Sequence, residues 1–191
     1  MKHRTQTVEN YSSVRDNGKL RPNDHRHVGP DVLDFQAYDD FWGKELSRRW
    51  SYKGQTYETG FEAMGFQYAK LLPDETGFMV MQNAYWSAEA KILNGDLSVR
   101  CVLKPAFNVR GFDAARLALI AEVRAKELAL SPNPNVAGNI VPHFKQQTGR
   151  CKKRADGLLE VEGNDGLADC MFHFHSQTGA LLSSEPYSWV D

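Results

Sequence analysis

The dipeptide Asn94-Gly95 places a strong restriction on how this chain can fold. Asn-Gly readily adopts the positive φ angles of a type I′ turn, which joins the two strands of a tight hairpin. Segments 90–93 and 96–104 flank it, and the second alternates apolar residues with mostly polar ones. This pattern predicts an antiparallel sheet with one buried side and one side facing water.

Two further hairpins are predicted by turn residues between strand-like segments. The first covers residues 50–57 and turns at Lys53-Gly54. The second joins 157–162 to 167–175 through a four-residue turn at 163–166, and a strand at 180–183 follows it. Together with a strand at 78–86, they predict a meander of hairpins.

Three segments have the three- and four-residue apolar spacing of amphipathic helices. Residues 31–50 carry an aromatic stripe, residues 59–72 begin with the capping box of Thr59 and Glu62, and residues 113–130 contain good helix formers. The predicted fold class is therefore α+β, with antiparallel sheet packed against about three helices. Residues 1–30 are polar and aperiodic, which predicts a flexible N-terminal arm before a single domain at 31–191.

Composition limits the function classes. The chain has 191 residues, of which 41% are hydrophobic, and no apolar stretch approaches the ~20 residues of a membrane span. The N-terminus lacks the apolar region of a secretory signal. The three cysteines are too scattered for a disulfide scaffold, which favours a reducing compartment. We therefore expect a cytoplasmic protein without a membrane partner.

One face of the last predicted hairpin concentrates histidines and carboxylates. The predicted turn places Glu160 opposite Asp169, and Asp156 opposite His173. His173 and His175, at i and i+2 of a strand, point the same way, as two imidazole ligands of one metal require. The candidate catalytic set of a metal-dependent phosphodiester hydrolase or nuclease is Asp156, Glu160, Asp169, His173 and His175, with His173, His175 and Asp169 as metal ligands.

The same residues also fit the solvent face of an antiparallel sheet, where polar side chains point outward by default. The sequence specifies no cofactor, and a divalent metal belongs only to this hydrolase hypothesis.

A basic segment suggests a different activity. Clustered Lys and Arg side chains neutralise phosphates and release counterions, which gives affinity for nucleic acid. The alternative is a solvated loop, and the net charge of −1 argues against a dedicated DNA binder. The candidate nucleic-acid-binding residues are Lys145, Arg150, Lys152, Lys153 and Arg154.

No phosphate-binding loop or standard hydrolase motif is present in the sequence. The leading hypothesis is therefore an accessory binding module that contacts nucleic acid or a nucleic-acid-handling protein, of the inhibitor type that phages and plasmids encode. The alternatives are the metal-dependent hydrolase and a protein–protein adaptor that uses the aromatic helix at 35–50. The adaptor hypothesis predicts that Phe41 and Trp42 are exposed, and the sequence leaves the oligomeric state open.

Overall fold

The computed structural model describes residues 6–22, 43–83, 86–106, 142–145, 151–153, 158–166 and 169–186, and the single positions 37, 41, 115, 118, 119, 122, 123, 125, 126 and 129. Fourteen strands lie in these segments, and they form three antiparallel sheets. Within the same segments no helix is long and apolar enough to span a membrane.

The first sheet contains β1 (Glu9–Arg15), β2 (Leu20–Pro22), β3 (Glu45–Tyr52) and β4 (Gln55–Thr59). Its strand order is β2-β1-β3-β4. Lys53 and Gly54 join β3 to β4, and their φ angles of 53° and 74° match the type I′ turn that the sequence predicts. The predicted hairpin at 50–57 is therefore confirmed.

The flexible N-terminal arm is a wrong prediction for residues 9–22. β1 lies between β2 and β3, and Ser13 pairs with Arg21 on one side and Arg48 on the other. Tyr11, Ser13 and Arg15 are buried and alternate with less buried neighbours, a strand pattern that the polar Ser and Arg conceal in the sequence. The division of the chain at residue 30 otherwise stays a prediction.

The second sheet contains β5 (Tyr68–Leu71), β6 (Gly77–Met81), β8 (Ala90–Asn94) and β9 (Val99–Leu103), in the order β5-β6-β8-β9. The Asn94-Gly95 hairpin is present, but residues 95–98 form a four-residue loop with positive φ at Leu97. The predicted two-residue turn is thus wrong, although the strand pairing is right.

The third sheet contains β7 (Trp86–Ser87), β10 (His143–Lys145), β11 (Cys151–Lys153), β12 (Leu158–Asn164), β13 (Asp169–His175) and β14 (Leu181–Pro186). The order is β14-β13-β12-β10-β7, and β11 also pairs with β12.

The second sheet lies between the other two, so the protein has three layers. Met79 and Met81 enter a core with Phe172 of the third sheet. Phe78 enters a second core with Trp50 of the first sheet. All residues of β6 are buried for this reason, because alternate side chains of one strand enter opposite cores. The prediction of one wet side therefore fails for the centre of this sheet.

The α+β prediction with about three helices is wrong, since sheets dominate and the described part contains no helix of seven or more residues. Residues 45–50 of the first predicted helix form β3. The second reduces to the 3₁₀ helix Phe61–Met64, which ends at Gly65 in the left-handed conformation, and is followed by β5. In the third, the eight described positions are helical and exposed.

Candidate functional site

The predicted histidine–carboxylate face has a different register from the one expected. Glu160 lies opposite His173, and Asp169 lies opposite Asn164, whose amide donates to it at 2.8 Å. The pairing ends at Asn164 and Asp169 instead of Glu162 and Leu167, which moves every pair by two positions along each strand but keeps the same residues on each face.

His173 and His175 have different environments. His173 is 3% exposed, with Nδ1 2.9 Å from Ser183 Oγ and Nε2 3.6 Å from Glu160 Oε1. His175 is exposed, and its Nδ1 accepts backbone N–H groups of the following turn. Asp169 lies four residues from His173 on one strand, about 13 Å away, too far to share an ion with it.

The structure thus brings Glu160 and His173 together and leaves Asp169 apart from them, while Asp156 lies outside the described residues. Among the described side chains, no group of three His, Cys, Asp or Glu residues could hold a metal ion. The catalytic and metal-binding roles assigned to these residues remain predictions.

Glu162 occupies the same face and is only 1% exposed. Neither of its carboxylate oxygens has a hydrogen-bond partner within the described part of the chain. The burial of Glu162 and His173 shows that the middle of this face is covered, whereas His175 at the end of β13 is exposed.

The basic segment lies partly on described strands. Lys145 belongs to β10, and Lys152 and Lys153 belong to β11. Both strands pair with β12, where Lys152 lies opposite Glu160. Arg150 and Arg154 lie outside the described residues, so the nucleic-acid-binding assignment stays a prediction.

The aromatic segment at 35–50 does not form one helix. Trp50 is fully buried in β3, where its indole N–H donates to the carbonyl of Gly95 at 2.7 Å. Phe41 is 39% exposed, and Trp42 lies outside the described residues. Ala37 and Phe41, the described positions between 31 and 42, are helical. The adaptor hypothesis therefore loses residues 45–50 of its proposed face, retains the exposure of Phe41, and stays a prediction.

A cluster of arginines that the sequence does not reveal lies at one end of the inner face of the first sheet. Arg21, Ser13 and Arg48 form one row across β2, β1 and β3, so their side chains share a face. Arg15 lies opposite Glu45 at the same end. We call Arg15, Arg21, Arg48 and Glu45 the arginine end of the sheet; formally it carries two net positive charges.

Glu45 bridges two of these arginines. Its Oε1 accepts from Arg48 Nε at 2.5 Å, and its Oε2 lies 3.6 Å from Arg15 Nη2. Arg48 also donates from Nη1 to the hydroxyl of Tyr11 at 2.7 Å. This network holds Arg48 in one position without using all of its donors.

The pKa values reflect the crowding of charges. Burial lowers the pKa of Arg21, and the neighbouring Arg15 lowers it further. Burial also acts to lower the pKa of Arg48, but Tyr11 and Glu45 outweigh this effect and raise it. Burial raises the pKa of the Tyr11 phenol, although Arg48 opposes that shift. Arg21 and Arg48 keep their charge, because an arginine side chain does not lose its proton in proteins.

A cleft of about 190 Å³ opens beside Arg48, between the beginning of β3 and the chain that follows β4. Leu46 lies on its rim with 63% of its surface exposed, and Phe61 and Phe66 contribute apolar walls. The full lining of this arginine cleft is Glu45, Leu46, Ser47, Arg48, Gly60, Phe61, Glu62, Phe66, Gln67 and Ala69.

The sequence contains one signal that could have identified these residues. Arg15 and Arg48 occupy inward positions in segments that alternate with aromatic residues, Tyr11 in one and Trp50 in the other. A polar residue at an inward strand position predicts a buried contact. The predictions of an arm at 1–30 and a helix at 31–50 are incompatible with these strand alternations, so neither arginine was predicted to point inward.

No protein-family model matches the sequence, and no curated protein matches it significantly. A solved structure of Tne2 in complex with Tni2 contains a chain of similar fold. The similarity covers 95% of this chain and 100% of that chain, with a TM-score of 0.51 and 12% sequence identity. At this identity the likeness shows a shared fold alone.

Proposed function

We propose that this chain is a protein-binding module that engages one partner protein through the arginine cleft. The carrying observation is that exposed Leu46 lies on the rim of a cleft whose wall contains Arg48. Arginine and aromatic residues dominate the binding energy of protein interfaces, and they do so beside apolar surface that excludes water. The similar chain in the complex of Tne2 with Tni2 belongs to a two-protein assembly, which supports a protein partner.

The size of the cleft favours a protein partner over a free small molecule. A volume of about 190 Å³ lies below the ~300–1,000 Å³ of ordinary small-molecule sites. It suits one or two side chains that project from a larger surface. The finer form of the proposal makes the partner a nucleic-acid-handling protein and this chain its inhibitor, of the type that phages and plasmids encode.

Photo-crosslinking tests the cleft directly. A photoreactive amino acid at Leu46 in the full chain, expressed in its source cells, should give one discrete protein adduct. The adduct should disappear when Arg48→Ala is added, because that change removes the guanidinium group from the cleft wall. The matched control carries the photoreactive group at Leu182, which is 53% exposed on the outer strand β14 of the third sheet.

Equal adducts from Leu46 and Leu182, or an adduct that survives Arg48→Ala, would contradict the assignment to this cleft. No protein adduct from Leu46 would contradict protein binding there.

A second candidate, nucleic-acid binding through residues 145–154, has one observation in its favour. β10 and β11 both pair with β12, which places Lys145, Lys152 and Lys153 on neighbouring parts of one sheet. Binding of labelled single- and double-stranded DNA and RNA should then weaken with salt, and K152A/K153A should flatten that dependence. Binding that is unchanged in this variant would remove the second candidate.

A further inference from the structure

We infer that the partner binds backbone to backbone, by laying an extended segment along the free edge of β5 beside the arginine cleft. The inference rests on the proposed function and names the form in which the partner binds. β5 is the outermost strand of the second sheet, whose order is β5-β6-β8-β9. An edge strand presents N–H and C=O groups that can bond a further strand.

The hydrogen-bond register shows which groups of β5 point outward. Successive residues of an antiparallel strand direct their N–H and C=O groups alternately to one side and to the other. The amide of Leu72 donates to the carbonyl of Gly77 at 2.9 Å, so Leu72 faces β6. Lys70 faces β6 as well, whereas the backbone groups of Ala69 and Leu71 point away from it. In the described part of the chain no second strand pairs with β5, so these two residues form its free edge.

This edge lies at the arginine cleft. Ala69 is part of the cleft lining, together with Phe61 and Phe66. The side chains of Ala69 and Leu71 pack against the core that the second sheet shares with the first. Opposite residues of paired strands direct their side chains to the same face, so a partner residue opposite Ala69 would point toward the first sheet and into the cleft. Backbone pairing and occupation of the cleft therefore belong to one binding mode.

Charge favours a segment of a different protein over a second copy of this chain. In the antiparallel register that pairs Ala69 of each β5 with Leu71 of the other, the two Lys70 residues lie directly opposite each other. Like charges in that position destabilise a strand pair. We therefore assign the edge to an extended segment of the partner, a mode in which main-chain hydrogen bonds give affinity and side-chain pockets give specificity.

Proline at position 69 tests the pairing directly. Proline lacks an N–H group and is accepted on sheet edges where that group points outward, so Ala69→Pro should fold but should not bond a further strand. Ala69→Val is the matched control, because valine adds comparable bulk and keeps the N–H group. With the photoreactive amino acid at Leu46 of the full chain, the partner adduct should fall at least about tenfold in Ala69→Pro and stay within about twofold in Ala69→Val.

Lys70→Pro checks the register itself. It removes an N–H group that the register directs to β6, so it should lower Tm clearly more than Ala69→Pro does. Thermal unfolding of the three variants and the parent chain also keeps lost binding distinct from lost folding.

Hydrogen exchange tests the same edge without a substitution. In the free chain, the amides of Ala69 and Leu71 should exchange at least about tenfold faster than the amide of Lys70, which bonds to β6. In the purified Leu46 adduct, the Ala69 and Leu71 amides should become protected, while the Lys70 amide changes little.

Equal adducts from Ala69→Pro and Ala69→Val would overturn the inference and leave the proposed function intact. Slow exchange of the Ala69 and Leu71 amides in the free chain would also overturn it, because the edge would then already be covered. A Tm as low in Ala69→Pro as in Lys70→Pro would contradict the outward direction of the Ala69 amide. An adduct with the mass of two copies of this chain would overturn the choice of a different protein. The absence of any adduct from Leu46 would refute the proposed function and this inference with it.

Discussion

The two halves of the inner face of the first sheet share the same strands and have opposite chemistry. In the aromatic half, Trp50 stacks on Phe61 with ring centroids 6.0 Å apart and meets Phe78 edge-on at 4.8 Å. The arginine end starts only two residues away from Trp50, at Arg48. Burying a large apolar side chain stabilises a fold by about 1.5–3 kcal/mol, whereas burying paired charges roughly breaks even. The comparison therefore separates a half that stabilises the fold from a half that adds little stability and that we propose contacts a partner.

The largest effect is expected in the aromatic half. Trp50→Ala removes a fully buried ring and its hydrogen bond to Gly95, so it should lower the free energy of unfolding by about 3–5 kcal/mol. Chemical denaturation of the variant and the parent chain measures the difference. A decrease in the free energy of unfolding of less than about 1 kcal/mol would contradict the proposal that the aromatic half stabilises the fold more than the arginine end does.

A smaller effect on stability is expected at the arginine end. Arg48→Met keeps much of the side-chain volume but removes the donor to the Tyr11 hydroxyl and to one oxygen of Glu45, which should cost about 1–3 kcal/mol. The crosslink from Leu46 should be lost in the same variant while it is still folded. Greater destabilisation than in Trp50→Ala would instead assign the arginine end to stability.

Tyr11, at the boundary between the two halves, should make the free energy of unfolding depend on pH. Because burial raises the pKa of Tyr11 in the folded protein, the unfolded chain loses that proton first as the pH rises. The free energy of unfolding should therefore fall above about pH 10, the ordinary tyrosine pKa. Tyr11→Phe should cost about 1 kcal/mol at neutral pH and remove this alkaline component. Equal alkaline sensitivity of unfolding in both proteins would assign the effect to other groups.

The smallest effect is expected on the outer face of the same strand. Arg49 pairs with the exposed Glu58 at 2.6 Å, and such pairs contribute little because water screens them. Arg49→Gln should change the free energy of unfolding by at most about 0.5 kcal/mol. A loss comparable to that of Arg48→Met would mean that the two faces of β3 are energetically alike.

Local turn chemistry made part of the fold predictable. Lys53-Gly54 forms the turn that the sequence predicts, because positive φ at two consecutive residues depends mainly on those residues. The Asn94-Gly95 hairpin keeps its pairing but not its turn type, since Asp96 caps the loop by accepting from the backbone N–H and hydroxyl of Ser98. The turn type after Asn94-Gly95 therefore depends on the residues that follow this dipeptide.

The predictions of longer helices and strands were wrong where inward-facing positions carry polar residues. Residues 45–50 have the spacing predicted for the end of an aromatic helix, yet Arg48 and Trp50 alternate toward the interior of the first sheet. The capping box at Thr59 suggested a helix, but Gly65 ends the helical segment after one turn. Spacing over three and four residues cannot distinguish the two structures when charged residues point inward.

The inward positions of Arg15 and Arg48 leave a local signal, but the meeting of these residues at one end of the sheet could not be predicted, because it depends on pairing between distant segments. Ser13 meets Arg48 only through the contact of β1 with β3, and no local pattern specifies that partner. The prediction for the histidine–carboxylate face was wrong only in its pairing. Its residues share a face as predicted, but a loop that starts two residues later changed which of them are opposite one another.

The strand β6, which has no solvent face, raises the question of what fixes its alignment. Sliding it by one residue would exchange Phe78 and Val80 with Met79 and Met81, and each core would still receive apolar side chains. Hydrophobic pattern therefore specifies its register only weakly. Gly77 supplies the missing information, since a Cβ at that position would lie 1.9 Å from the carbonyl oxygen of Leu93. A shift of β6 by one residue would bring a side chain into that contact. The lack of a Cβ at Gly77 therefore fixes the register of the central strand.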